Sequence, residues 1–158
     1  MRYSHFKIVQ LSDCHLAADR HASYRGLNAD RGLAGLLPMI RHWQPDLVLL
    51  TGDVAEDASL AAYGRVAAAL GSLGPPIVAL PGNHDDVSVM SRYFPMGPWN
   101  GPLFRGARGW QVILLDSSTP GEIHGTISES DLETLRKGLQ RTQAEHLMVA
   151  LHHQPVPV

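Results

Sequence analysis

Four places in this 158-residue chain gather residue types that bind cations: Asp13-Cys14-His15, Gly52-Asp53, Gly82-Asn83-His84-Asp85 and His152-His153. Each follows a short apolar run. In an open α/β sheet, ligands collect outside the carboxyl ends of the strands, so carboxylates, an amide and imidazoles recurring at that position predict a metal site. Asp13 and His15, two apart on an extended strand end, would project to one face and grip one ion, with Cys14 turned away. An isolated Asp-x-His is also an ordinary turn with a capping Asp. Gly52 lets the backbone turn tightly and present Asp53 at the strand tip, where two carboxylate oxygens can bridge two cations. The competing role for Asp53 is a helix N-cap, with Asp57 and Ser59 as nearby rivals for it.

Asn83, His84 and Asp85 place an amide oxygen, an imidazole and a carboxylate at successive positions. A hydrogen-bonded turn explains Asn83 and Asp85 but leaves His84 incidental. His84 beside Asp85 also has the form of an acid whose ring tautomer is fixed by a carboxylate. Alternation along a strand sends His152 and His153 to opposite faces, so one of them joins a given site and the other packs beside it. His5, His21, His42, His124 and His146 read as surface or loop residues, with His124 held in reserve as a loop imidazole able to assist near a bound phosphate.

Positioning these groups needs strands and helices in alternation. Residues 6–11, 47–50, 77–80, 112–115 and 147–151 are short Val-, Ile- and Leu-rich runs that read as buried strands. Between them, helical spacing links Leu33, Leu36, Leu37, Ile40 and Trp43; then Leu60, Tyr63, Ala67, Leu70 and Leu73; then Leu132, Leu135 and Leu139. The alternation predicts an α/β fold. Ser128 followed by Asp131 resembles a capping box, Gly74-Pro75-Pro76 stops the second helix, and Pro38 should kink or split the first. Residues 94–109 hold three of the eleven prolines and four glycines and read as a long loop near the site.

The length fits one domain, residues 1–158, and 44% hydrophobic against 18% charged residues fits a folded globule. Thirteen Lys and Arg against fifteen Asp and Glu give a charge of -2, which supplies no basic field for nucleic acid or an anionic membrane. No run approaches the roughly 20 apolar residues of a membrane span. A single cysteine, Cys14, forms no internal disulfide, and the first residues lead into a strand pattern, so a cytoplasmic setting is expected.

Taken with their flanks, Asp46 to Asp53, Ala79 to Asp86 and Val149 to Pro155, the four motifs resemble those of the calcineurin-like metallophosphoesterase family, in particular its bacterial class III cyclic-nucleotide phosphodiesterases. The resemblance covers nearly the entire chain. It implies an αββα sandwich and a dinuclear centre in which Asp13 and His15 bind one metal, Asn83 and His152 the other, and Asp53 bridges both. It implies that His84 sits over the phosphate, neutralising charge or protonating the leaving oxygen, with Asp85 orienting it. Two divalent cations roughly 3.5 to 4 Å apart would share a hydroxide for in-line attack on a phosphodiester. The mixed donor set suits Mn, Fe, Co or Zn rather than Ca or Mg.

The family's further Gly-His-x-His motif does not occur before Val158. The expectation is therefore an incomplete, N-terminal portion of the sandwich, lacking two histidine ligands. Either a hydrolase completes its site with ligands from elsewhere, or the chain is a non-catalytic remnant. An open strand edge and uncovered apolar face predict a homo-oligomer. A 3',5'-cyclic nucleotide such as cAMP is the preferred small-molecule substrate, with other phosphodiesters or phosphomonoesters as the alternative. The acidic balance argues against a nuclease.

Overall fold

A computed structural model describes residues 5–94, 103–107 and 109–156. Strands β1 (Ile8–Leu11), β2 (Leu47–Thr51) and β3 (Ile77–Leu80) form one parallel sheet in that order. Strands β4 (Leu103–Ala107), β5 (Trp110–Leu114) and β6 (His146–Ala150) form a second, with β4 antiparallel and β6 parallel to β5. Helices α1 (Ala29–Trp43) and α2 (Leu60–Gly71) are the crossovers of the first sheet, α3 (Val87–Met90) is a single turn after β3, and α4 (Glu129–Arg141) joins β5 to β6.

The alternation of β2 defines the layers. All five of its residues are buried. Val48 and Leu50 face a core shared with Leu33 of α1 and Tyr63, Val66 and Leu70 of α2. Leu47 and Leu49 face the second sheet, meeting Val78 and Leu80 of β3 and Val112 and Leu114 of β5. Helices, first sheet and second sheet are thus stacked in the mixed α/β arrangement expected, and a strand buried on both faces is the physical reason that β2 reads as a continuous apolar run.

Several expectations change in detail. Pro38 does not split α1, because Pro38 and Ala34, whose carbonyl loses its helical partner, both lie on the exposed side. Asn28 caps the start of α1 by accepting from Arg31 N at 2.8 Å. The buried stripe of α2 runs through Ala62, Tyr63, Val66 and Leu70, leaving Leu60 49% exposed. Ser59, rather than Asp53, is the α2 N-cap. Ser128 caps α4, accepting from Asp131 N at 3.1 Å while its hydroxyl donates to the Asp131 carboxylate.

The segment 94–109 is not wholly a loop, since β4 pairs with β5 from Leu103↔Leu114 to Ala107↔Trp110. Between the two strands Gly109 takes the left-handed conformation. Residues 95–102 of that segment lie outside the described residues. Among the described residues strand β6 is an edge strand rather than a fully buried one, with Leu147 and Val149 each 45% exposed. No helix among the described residues is long and apolar enough to cross a membrane.

Leu50→Ala, which opens a cavity at the buried helix-facing side of β2, should cost about 2 to 5 kcal/mol in urea unfolding. Leu60→Ala, at a half-exposed position, should stay within about 0.5 kcal/mol of the parent.

Candidate metal centre

The site is built where the parallel ladder of β1 and β2 continues past the strand ends. Asp13 N donates to Gly52 O at 3.1 Å, His15 N to Asp53 O at 2.9 Å and Leu16 N to Val54 O at 3.2 Å. Along this stretch Asp13, His15 and Asp53 have φ of 54°, 46° and 49°. They are not on an extended strand end, so simple alternation is not what brings Asp13 and His15 together. The left-handed turns do so, placing His15 Nε2 3.9 Å from Asp13 Oδ1. A non-glycine residue in that region costs on the order of 1 to 3 kcal/mol, and three of them at one spot is the kind of strain that concentrates at functional sites. Cys14, between them, packs against the helix-facing core, and burial, followed by the Asp85 and Asp13 charges, pushes its thiol up to about 12.

Asp53 is the centre of the cluster. It is 4% exposed, and its Oδ2 lies 3.6 Å from both His15 Nε2 and His152 Nε2. Ligand atoms of Asp13, Asp53 and His152 all fall within 4.8 Å of one another. Separations of this size are too long for hydrogen bonds. They fit donors arranged about a cation, since two ligands at about 2.1 Å in tetrahedral geometry stand roughly 3.4 Å apart. His152 Nδ1 donates to Thr51 O at 2.8 Å, which leaves Nε2 as the free nitrogen facing Asp53. The donor set of imidazoles and carboxylates therefore fits divalent transition metals. Asn83 lines the same cavity, of about 820 Å³, together with His84 and His153.

Two glycines make this convergence possible. A Cβ on Gly82 would lie 2.1 Å from Asp53 Oδ1 and 2.5 Å from Asp53 N, and one on Gly52 would lie 2.4 Å from His152 Nδ1. The Gly-Asp and Gly-Asn motifs are thus places where neighbouring segments approach too closely for any side chain.

His84 is anchored by its backbone N, which donates to Asp53 Oδ1 at 3.0 Å. Its ring Nδ1 faces Glu56, 3.3 Å from both the carboxylate Oε2 and the main-chain carbonyl. Asp85, expected to orient that ring, turns inward instead. Its carboxylate accepts from Val54 N and Ala55 N at 3.1 Å, Gly82 N at 2.9 Å and the Tyr63 hydroxyl at 2.9 Å. Four donors converging from two strand tips and α2 compete more effectively than one half-exposed imidazole. Burial pushes the Asp85 carboxyl up, and the hydrogen bonds from Gly82, Ala55, Val54 and Tyr63 oppose that without cancelling it. Burial likewise pushes the Tyr63 phenol up, reinforced by the Asp85 charge.

His152 and His153 lie past the end of β6 with their rings edge-on at 4.9 Å, and both line the cavity, so strand alternation does not separate them; what differs is the partner of His153. Its Nδ1 lies 2.9 Å from the buried Ser117 hydroxyl. His124 is 67% exposed and faces Glu122 at 3.6 Å rather than the cluster. His146 opens β6 and rests its ring against Trp110, 4.7 Å between centroids. Sequence reasoning missed Glu56, Tyr63 and Tyr24, whose ring stacks on His15 at 4.0 Å. Glu56, three residues after Asp53, carries the one available signal, a carboxylate close to a proposed ligand.

Burial acts to raise the Asp53 carboxyl, but the facing His152 ring, the His84 backbone N–H and the charges of both rings outweigh it and hold it below the usual carboxylate range. The same contact with Asp53 lifts His152 to about 9, against the opposing pull of burial.

The family model for calcineurin-like phosphoesterase matches residues 6–157. The chain is 38% identical over 156 residues to the 3',5'-cyclic adenosine monophosphate phosphodiesterase CpdA of Escherichia coli K12, covering 96% of this chain and 56% of that protein. Against CpdA of Pseudomonas aeruginosa it is 35% identical, with 96% and 56% covered. Against a cAMP/cGMP dual specificity phosphodiesterase of Mycobacterium tuberculosis it is 33% identical, with 96% and 51% covered. The chain thus spans about half the length of these relatives. A dimetal phosphatase from Danio rerio superposes with a TM-score of 0.52 at 17% identity, over 85% of this chain and 52% of the other, a likeness of fold.

A metal held by His152 would need a bare Nε2, so its binding would displace the proton that the nearby Asp53 charge favours on this ring. Titration calorimetry with Mn(II) at neutral pH, in buffers of different ionisation enthalpy, should show about one proton released from this ring. In the metal-free chain the His152 to Asp53 ion pair should stabilise the fold fully below the ordinary histidine range, and that contribution should be lost as pH rises through about 9. Metal affinity should climb over the same interval.

Proposed function

The chain belongs to the calcineurin-like phosphoesterase family, and from that premise we propose that it hydrolyses a phosphodiester, preferentially a 3',5'-cyclic nucleotide, with the help of two divalent cations. The observation that carries this reading is the convergence on Asp53. Carboxylates and imidazoles from residues 13, 15 and 152 meet one buried carboxylate at metal-ligand spacing, on the floor of an open cavity. Relatives named for action on cAMP, or on cAMP and cGMP, support the substrate class.

In this proposal Asp13 and His15 hold one cation, Asn83 and His152 the other, and Asp53 both. Its Oδ2 stands equally far from the two imidazoles, which suits a bridging carboxylate. Manganese, iron, zinc and cobalt all match the mixed donors. When bound, two such cations supply Lewis acidity toward the phosphoryl oxygens and bring the pKa of water toward neutrality. The chain's own residues supply the rest. His84, held over the cavity through its backbone bond to Asp53, protonates the departing alcohol. Asp85 contributes by fixing the loops that carry Asp53 and His84 rather than by touching the ring. A cytoplasmic setting, consistent with one unpaired cysteine, and self-association through the half-exposed edge strand β6 belong to the same proposal.

The test is Mn(II)-dependent hydrolysis of cAMP and of bis(p-nitrophenyl) phosphate by this chain. Asp53→Ala should lower both by more than about 100-fold, since even the outer partners of metal ligands are worth 10 to 100-fold. A variant as active as the parent would remove the proposal. His84→Ala should cost on the order of 100-fold or more with cAMP, whose alkoxide leaving group needs a proton. The loss should be much smaller with the nitrophenyl diester, whose phenolate leaves unaided. Equal losses on the two substrates would rule out the acid role.

A further inference from the structure

Glu56 belongs to no motif, yet its carboxylate stands between the two imidazoles that the proposed chemistry uses differently. Its Oε2 is 2.7 Å from His15 Nδ1 and 3.3 Å from His84 Nδ1. The main chain fixes where this carboxylate starts. Glu56 N donates to Leu16 O at 2.8 Å, Leu16 and Ala55 form a parallel bridge, and Ala55 N is held by Asp85.

The nitrogens of His15 are divided between two environments. Nε2 faces Asp13 and Asp53, while Nδ1 meets Glu56. Tyr24, stacked at 4.0 Å, and His84, edge-on at 5.0 Å, leave the ring little freedom to flip. A neutral imidazole has one N–H and one lone pair, and a carboxylate at hydrogen-bond distance demands the N–H on its own side. The lone pair is then left on Nε2, as a metal ligand requires. His152 reaches the same state through a rigid acceptor, the Thr51 carbonyl. His15 reaches it through a side chain, and that side chain also touches His84.

We infer that Glu56 is a positioning residue: its carboxylate fixes His15 with the proton on Nδ1 and the lone pair on Nε2 facing the cation site, and through the same oxygen ties that ring to His84. The inference rests on the reading of His15 as a metal ligand. It is tested without turnover, so its failure is separable from failure of the hydrolase proposal.

The experiment is long-range proton–nitrogen correlation of the histidine rings in the metal-free chain at alkaline pH, where imidazoles are neutral, together with Mn(II) titration calorimetry. In the parent, His15 should carry its proton on Nδ1. In Glu56→Ala, His15 should move to the Nε2-protonated form, while His84, which keeps the main-chain carbonyl of residue 56 as acceptor, should shift its resonances without changing tautomer. Mn(II) affinity should fall 10 to 100-fold with unchanged stoichiometry. Glu56→Met, which keeps the packing volume but not the acceptor, should match alanine, and Glu56→Gln, which keeps an acceptor oxygen, should stay near the parent. An unchanged His15 tautomer and affinity in the alanine and methionine variants would overturn the inference. So would the loss of one bound manganese, because Glu56 would then be a ligand rather than a positioning group.

Discussion

Everything at the mouth of the first sheet hangs on one part-buried carboxylate that does not line the cavity. Asp85 gathers the N–H groups of Val54, Ala55 and Gly82 and the hydroxyl of Tyr63. Each of those amides belongs to a loop that has just left a strand, where the ladder no longer satisfies it. Left unpaired in the core, each would cost about 1 to 3 kcal/mol. One acidic side chain resolves all of them and clamps the tip of β2 to the tip of β3, with α2 as the backing. Tyr63 completes the arrangement by accepting from Asp86 N at 3.0 Å, so the turn into α3 is fixed by the same group.

That clamp explains how strained backbone can persist beside it. Asp13, His15 and Asp53 adopt left-handed conformations next to Gly52, which adopts one freely. Their reward is proximity, since Asp53 comes within reach of segments that begin and end far apart in the chain. The two glycines show how little room is left, for the atoms that a β-carbon would strike are those of Asp53 and the His152 ring. Close approach here is a steric precondition of the chemistry, imposed on the backbone before any metal is considered.

Much of this was legible from residue order. The runs at 47–50 and 77–80 were readable because a parallel strand buried on both sides has no polar alternation to confuse it, and the ligand types sit where such strands end. Three features were not legible. Strand β4 hides among prolines and glycines because its pairing is with β5, a tertiary fact. Asp85 beside His84 suggested a local pair, whereas three backbone amides and a phenol from elsewhere won the carboxylate. Glu56 and Tyr24 act through His15 at distances that sequence spacing does not encode, 41 and 9 positions away (56 − 15 and 24 − 15). Periodicity finds elements, but it does not tell which side chains the ends of those elements will share.

The position of His152 has a consequence for how the molecule comes into being. It reaches Asp53 from the second sheet, at the end of an edge strand, while Asp13, His15 and Asp53 belong to the first sheet. The approach of His152 to Asp53 joins positions 99 apart in the sequence (152 − 53). During synthesis from the N-terminus, the carboxylates exist long before the imidazole that joins them, so the cluster closes only after strands of both sheets have been made. A cation shared across that gap would behave as a clasp between two sheets. The entropic cost of closing a loop grows only logarithmically with length, about 0.6 kcal/mol for each doubling, so the clasp restrains far more of the chain than a local one for an added cost of about 2 kcal/mol.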